Sequence, residues 1–387
     1  MEIQPVSIVT VKNIIPLFKG DDVANSIELI EFEENGFQVV SQKDLYAIDD
    51  KAVYIQPDYC VPDTPLFESF LRPNGDARKC KLGRNNRIRA IKFNLHKGDG
   101  LPIYSQGILL PINEVDEFLH QIVNAGADLP KLLGITKYVE PEDTGHVGGV
   151  KGGRSEGFPQ GMYKTDETNI NNLWGHIKFP IRLIGREKVD GSSITIYYKD
   201  GKAGIASRNL DKPLTYPIIM GTRKPTIFEK VKLWFGLKVD LYNYEIVESD
   251  SDFVKYGKRY LNPLETLCRV EDTSVALRGE LNGGSLKGSG NKNNPAKNEA
   301  PNIKFYGIDL YKDQTIKLGE EVFMDVCTRL NLTPCKWVFD KTFNSREEVE
   351  QECNTYFQTN LIEGIVLRTP DHNFSAKYMN PIYDAVK

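Results

Sequence analysis

No two of the six cysteines form a C-x-x-C pair, and no histidine stands at zinc-finger spacing from Cys327 and Cys335, the two closest together. That excludes a zinc-finger module and gives no disulfide framework. Cys60, Cys80, Cys268, Cys327, Cys335 and Cys353 are expected to be scattered reduced thiols in the cytoplasm or another reducing intracellular compartment. No apolar run approaches the roughly 20 residues of a membrane span. The opening MEIQPVSIVTVKNI lacks a charged start followed by an apolar signal core, so no membrane partner is expected. Basic excess is missing too. The net charge is −4, so a nucleic-acid partner would have to be held by local patches. There is no internal repeat and no low-complexity tract.

What is there reads as a soluble two-domain protein. The 387 residues are 40% apolar and 26% charged, ordinary values for a chain that can bury a full core. Up to residue 113 the chain reads as short strands, through SIVTVKNIIPL, GFQVVSQ, AVYIQP, RIRAIKF and SQGILLPI, broken at GDD, DD and KGDG. That pattern predicts a small β-barrel. Residues 114–134 predict a helix and its stop, and the glycines of 146–161 predict a loop, so 114–163 reads as helix and linker. From 164 to 387 strands and helices alternate as an α+β domain. REKVDGSSITIYYKDGKAGIASRN predicts a strand, a turn, and a hairpin through Asp200-Gly201. Helices are predicted at 319–330 and 345–358, the second opened by a Ser345/Glu348 capping box. The stretch 213–272 reads only as helices plus an insert.

The chemistry starts at Lys188-Val189-Asp190-Gly191. Alone, K-x-D-G arises by chance in roughly one chain in ten of this length, and it equally suits a strand ending in an Asp-Gly turn. Its company changes its weight. Ser207-Arg208-Asn209 follows on the next strand pair. Glu280 in LRGEL, Asp309 in FYGID and Glu363 in IEGIVLR put three acids on strands, and Ser375-Ala376-Lys377-Tyr378 closes the set.

In order and type these segments resemble the six-motif core of the covalent nucleotidyltransferases, the superfamily of polynucleotide ligases and messenger-RNA capping enzymes. The resemblance spans Lys188 to Lys377. It implies that the Lys188 amine attacks the α-phosphate of ATP to form a phosphoramidate. A free lysine, with pKa about 10.4, is protonated at neutral pH, so nearby positive charge or a divalent metal must lower it. Mg2+ or Mn2+ would take oxygen ligands or bound waters from Asp190, Glu280 and Glu363. The resemblance further implies a nucleotide-binding set of Glu187, Asp190, Gly191, Arg208, Asn209, Glu280, Glu363 and Lys377. Glu280 touches ribose or metal, Arg208 with Asn209 grips ribose or phosphate, and Lys377 contacts the α-phosphate. Tyr306 and Ile308 share a strand face, and one of them packs on the adenine.

Three features point to a branch. Ten residues follow Lys377, too few for the OB barrel that DNA ligases and capping enzymes place there. A β-rich module comes before the catalytic domain instead. The segments LLGITKY, Phe158-Pro159, Lys164-Thr165-Asp166-Glu167 and SAKYMNP are similar to the Deinococcus and Naegleria type of RNA ligase. That resemblance implies an N-terminal OB-like barrel followed by a nucleotidyltransferase domain of antiparallel sheets and helices. It implies a monomer sealing 3′-OH/5′-phosphate nicks in duplexes with RNA on the 3′-OH side. Three positions depart from the pattern: Asn169 where an arginine is expected, Ala376 for a bulky aromatic, and Ile308 for phenylalanine. A DNA ligase, a guanylyl-transferring capping enzyme and an inactive nucleic-acid-binding scaffold are the alternatives.

Between Arg78 and Lys92 the chain carries Arg78, Lys79, Lys81, Arg84, Arg87, Arg89 and Lys92 with no acid. With Arg87 and Arg89 on one strand face, this stripe suits a phosphate backbone, gripped without sequence preference.

Overall fold

The computed structural model describes residues 4–98, 103–124, 126–138, 156–164, 167–284, 286, 293–311 and 315–384. The glycine-rich segment up to residue 155, Thr165 and Asp166 lie outside them.

The first module is built on strands β1 (Val6–Lys19), β2 (Asp22–Phe32), β3 (Gln38–Gln42), β4 (Lys51–Ile55) and β5 (Ile108–Pro111), in the order β3-β2-β1-β4-β5. Alternating apolar positions such as Val9, Val11 and Leu29 turn inward. The sheet curls until its outer strands nearly meet, where the Gln106 backbone amide donates to the Gln38 carbonyl at 2.8 Å. The expected strand over RIRAIKF is confined to Ile91–Phe93; Arg87 makes only an isolated bridge with Cys60. The expected helix 114–134 is also shorter. Helix α1 (Ile112–Leu119) ends where His120 turns left-handed, with φ 53°, and only Leu129–Leu132 is helical beyond it. Val115, Val123, Leu129, Leu133 and Ile135 pack into the core of the first module, so this segment belongs to that body rather than to a linker.

The second half rests on two sheets, antiparallel throughout except where Thr168–Asn169 pairs parallel at one edge. One contains β7 (Ser192–Lys199), β8 (Lys202–Ser207), β9 (Leu210–Lys212), β12 (Ser274–Asn282) and β13 (Asn302–Tyr311), ordered β9-β8-β7-β12-β13, with short strands Glu156–Gly157 and Thr315–Lys317 at its edges. The β7–β8 hairpin turns through Asp200 and Gly201, with φ 51° and 76°, the left-handed pair that a tight two-residue hairpin requires. One face packs against α3 (Leu261–Val270) and α4 (Glu320–Arg329), burying Leu264, Cys268, Phe305 and Phe323. Phe158 and Met162 cover part of the other face over Tyr197 and Ala276.

The other sheet contains β6 (Ile181–Lys188), β14 (Trp337–Phe343), β15 (Gly364–Arg368) and β16 (Ser375–Met379), ordered β16-β15-β6-β14, with Thr168–Asn169 beside β16. Helix α5 (Arg346–Thr359) packs on it through Val349, Cys353 and Phe357, spaced four apart on one stripe. Ser345 caps α5 by accepting from the Glu348 amide, but the Glu348 carboxylate accepts from the Asn344 amide, so the expected capping box is only half formed.

Between β9 and α3 lies a projecting ribbon: β10 (Thr215–Thr222), α2 (Ile227–Trp234) and β11 (Tyr242–Glu248). Its strands pair only with each other. All six cysteines are free. No helix among the described residues is long and apolar enough to cross a membrane.

Candidate active site

The K-x-D-G segment is the crossing between the two sheets. β6 ends at Lys188 in one sheet, and β7 begins at Ser192 in the other. Gly191 permits this passage. A Cβ there would stand 2.6 Å from the Leu281 carbonyl oxygen, closer than any side chain tolerates.

Register sets the nucleophile's surroundings. Lys188 pairs with Gly364, so Glu363 lies at the mouth of the same strand pair. The Lys188 ammonium donates to Glu363 Oε2 at 2.5 Å. Glu280 comes from the other sheet, flanked by Ser193 and Lys304 on its neighbouring strands. Burial alone lowers a lysine's pKa. Here the Glu363, Glu280 and Asp190 carboxylates outweigh it and hold the Lys188 ammonium above its ordinary range. Burial, with Glu363 and Asp190 adding to it, pushes the Glu280 carboxyl up to about 8 against the pull of Lys188 and Arg208. The structure therefore gathers Lys188, Asp190, Arg208, Glu280 and Glu363 into one electrostatic cluster.

Paired residues of adjacent strands share a face. Arg186, Val366 and Lys377 form one such row, so Lys377 faces the same side as Lys188. Glu187, Ile365 and Tyr378 form the alternate row on the opposite side. There Glu187 accepts from the Tyr356 hydroxyl at 2.7 Å and from Lys336 at 3.1 Å. The Glu187 side chain is thus committed to Tyr356 and Lys336, on the face away from Lys188. Alternation along the strand already separates it from Lys188. Asn209 lies at the far edge of the sheet and accepts from Lys164 at 2.9 Å.

The adenine-stacking pair also divides. Arg278 pairs with Gly307 while Gly279 pairs with Phe305, so Tyr306 is the extra residue of a β-bulge. The bulge breaks the alternation that would have put Tyr306 and Ile308 on one face. Ile308 is 1% exposed in the core beside α3 and α4, which removes it as a base-packing residue. The Tyr306 ring lies under Arg368, 5.4 Å from its guanidinium carbon.

Several residues that sequence reading gave no role hold this arrangement. Arg368 spans the sheets, donating to the Tyr306 carbonyl at 2.7 Å and to Glu167 Oε1 at 2.6 Å. Burial works against the Glu167 carboxylate, but Arg368 and Lys317 hold its pKa down to about 2. Arg186 sits between the rings of Phe323 and Trp337 and pairs with Glu320, which also contacts His372. Tyr383, on the terminal turn α6 (Pro381–Asp384), donates to Asp190 Oδ2 at 2.6 Å. Asn294 donates to the Asp190 carbonyl at 2.8 Å, and the Asn380 amide donates to the Glu363 carbonyl at 2.9 Å. Of these, only Arg368, Glu167 and Asn380 fall in segments that carry the sequence resemblance, IEGIVLR, residues 164–167 and SAKYMNP.

Among the described residues no three His, Cys, Asp or Glu side chains stand close enough to ligate a metal directly. Asp190, Glu280 and Glu363 are accordingly not a direct three-carboxylate ligand set. Three acids gathered around one lysine are instead placed to hold a hydrated cation through bound waters.

In the first module, Arg78, Lys79, Lys81, Arg84 and Arg89 are exposed, and Lys92 is half-buried. Arg87 leaves the expected stripe: it pairs with Asp58 at 2.6 Å and stacks on the Tyr138 ring at 4.4 Å. Arg89 folds over Gly83 instead of sharing a strand face with it.

The fold is that of a nucleotidyltransferase. A Naegleria gruberi RNA ligase in an apo lysine-to-alanine variant superposes with a TM-score of 0.69 at 22% identity, over 98% of this chain and 97% of that one. A glutamate-to-alanine variant of that ligase, with AMP and Mn, gives 0.68 at 20% identity over 98% of each chain. A lysine-to-methionine variant with AMP and Mn gives 0.67 at 21% identity, again over 98% of each. No curated protein matches by sequence. The RNA ligase family matches residues 181–379, more than half of the chain, and this chain belongs to that family.

Proposed function

We propose that this protein is an ATP-dependent RNA ligase that seals 3′-OH/5′-phosphate nicks in duplexes, with RNA on the 3′-OH side, through an AMP adduct on Lys188. The observation that carries the reading is Lys188 itself, held at the junction of two sheets among Glu363, Glu280 and Asp190. The Naegleria ligase variants solved with ATP or AMP and Mn support the choice of nucleotide.

In the first step the Lys188 amine attacks the α-phosphorus of ATP. A P–N bond forms, the bond to the bridging oxygen breaks, and pyrophosphate leaves. Lys188 must first release a proton, and Glu363 Oε2 at 2.5 Å is placed to hold it. Asp190, Glu280 and Glu363 would hold Mg2+ or Mn2+ through bound waters, and the metal would supply positive charge that lowers the lysine's pKa and offsets charge on the phosphates. Lys377, on the same sheet face as Lys188, contacts the α-phosphate, and Arg208 grips the ribose or phosphate side. In the second step a 5′-phosphate oxygen attacks the AMP phosphorus, and the lysine leaves and regains its proton. In the third, the 3′-OH attacks the activated 5′-phosphate and AMP departs.

The curled first module acts as an OB-like barrel that grips the duplex backbone through Arg78, Lys79, Lys81, Arg84 and Arg89, and the chain works as a monomer. The two catalytic sheets form the nucleotidyltransferase domain.

The test is labelling with α-labelled ATP or GTP and a divalent metal, followed by denaturing electrophoresis. Acid-labile, alkali-stable label from ATP on wild type, absent in Lys188→Ala, is the expected result. Nicked all-RNA, all-DNA and mixed duplexes then read the strand requirement. A folded wild type that takes no label, even after pyrophosphate stripping, overturns the reading.

A further inference from the structure

The ribbon of β10, α2 and β11 projects from the catalytic half and is not used by the adenylylation chemistry. Its helix is locally well specified: Thr226 and Glu229 form a reciprocal capping box, Arg223 pairs with Glu229 at 2.6 Å, and Gly236, with φ 74°, ends it. Yet the apolar side chains it presents are not buried. Phe228 is 80% exposed, Trp234 82% and Phe235 67%. Tyr242 and Tyr244 on β11 are exposed as well. A contiguous apolar and aromatic surface of this kind on a soluble chain marks an interaction site.

Charge selects the partner. Residues 223–240 carry five basic side chains against two acidic ones, in a chain whose net charge is −4. Arg223 is committed to Glu229, which leaves the exposed Lys224, Lys230, Lys232 and Lys238 for an outside anion. At 100° per residue, Lys230 and Lys232 fall on opposite flanks of the arc formed by Phe228, Val231, Trp234 and Phe235. Aromatic faces bordered by ammonium groups suit a chain that alternates flat bases with phosphates. The root of the ribbon gives the location. β10 starts shortly after Arg208 and Asn209, so the ribbon is rooted on the sheet that carries Arg208 and projects from it by up to about 26 Å for eight extended residues, the span over which RNA flanking the break would run.

We propose that residues 215–248 form an RNA-gripping arm. Phe228, Trp234 and Phe235 stack on unpaired bases flanking the break, and the four lysines take the adjoining phosphates. The ligase would then favour breaks with unpaired RNA nearby over fully paired nicks. The inference rests on the RNA-ligase reading for its substrate class.

The experiment compares full-length wild type with Phe228→Ala/Trp234→Ala and with a variant carrying Lys224→Glu, Lys230→Glu, Lys232→Glu and Lys238→Glu. All the altered side chains are exposed, so the fold does not depend on them. Binding of a fluorescein-labelled 20-nucleotide single-stranded RNA is read by anisotropy over a salt series, beside Lys188 labelling by ATP. The aromatic variant should bind at least tenfold more weakly. The lysine variant should also lose up to about three from the slope of log affinity on log salt. Both should keep wild-type Lys188 labelling. RNA binding unchanged in both variants overturns the arm. So does a loss confined to vesicles containing phosphatidylserine, or a loss of self-association in place of RNA binding. Absence of Lys188 labelling in the wild type would instead remove the ligase reading, and leave the RNA-binding comparison still readable.

Discussion

The Tyr383 hydroxyl donates to Asp190 Oδ2 at 2.6 Å, linking residues 193 positions apart and pinning the last helical turn to the K-x-D-G crossing. Tyr383 is 1% exposed, so Tyr383→Phe removes the hydrogen bond while keeping the ring. A bond to a charged acceptor contributes about 1.5 kcal/mol to stability, so the variant should melt a few degrees lower, and loss of the hold on Asp190 should slow Lys188 adenylylation several-fold. Single-turnover labelling measures it. A Phe variant as fast as wild type would show that the contact only packs the terminus.

Glu280 gives a pH prediction. Its carboxyl is raised to about 8 in the folded protein, chiefly by burial, against an ordinary value of 4.5. The folded state therefore binds this proton more tightly than the unfolded one. Its contribution to stability is complete below about pH 4.5 and is lost as the pH rises through about 8. Melting curves across that window should fall more steeply for wild type than for Glu280→Gln, and Mn2+ should lessen the difference. Parallel curves for the two proteins would count against the buried cluster.

Arg368 and Glu167 are buried together where the two sheets meet. Removing one partner strands the other, so Arg368→Met or Glu167→Gln should each cost about 3–5 kcal/mol in urea unfolding. The sign at acid pH is the reverse of that for Glu280. Glu167 is held down to about 2, so the pair's contribution is present above about pH 4.5 and fades as the pH falls toward 2. Glu167→Gln should flatten that acid limb, and an unchanged limb would contradict the assignment.

The bulge at Tyr306 separates two side chains that look equivalent in sequence. Ile308→Ala should lose about 2–5 kcal/mol of stability through a core cavity while leaving the KM for ATP unchanged. Tyr306→Ala should raise that KM several-fold with a smaller stability loss. Steady-state labelling and urea curves on both variants check it, and the opposite assignment of effects would return Ile308 to the nucleotide.

What was legible in the sequence was local or periodic. The K-x-D-G turn, the Asp200-Gly201 hairpin and α5 with its Ser345 cap each depend on residues within a few positions of one another. β2 was missed because DVANSIELIEF alternates poorly outside its last few residues. The helix expected over 114–134 breaks at His120, a backbone conformation that no helix-propensity argument anticipates. Strand alternation, which the motif alone does not display, turns the Glu187 side chain away from the Lys188 side. The bulge at Tyr306, the Tyr383–Asp190 contact and the Arg368 bridge are set by pairings between distant segments, which spacing along the chain does not encode.

The pairing of Lys188 with Gly364 imposes a parity rule on the β15–β16 hairpin, because Lys377 reaches the nucleophile's side only through side-chain alternation. A single residue inserted within Gly364–Arg368 would turn the far part of the strand over and send Lys377 to the side of α5, whereas two inserted residues would restore it. Length variation in this hairpin should therefore be tolerated in even steps and forbidden in odd ones.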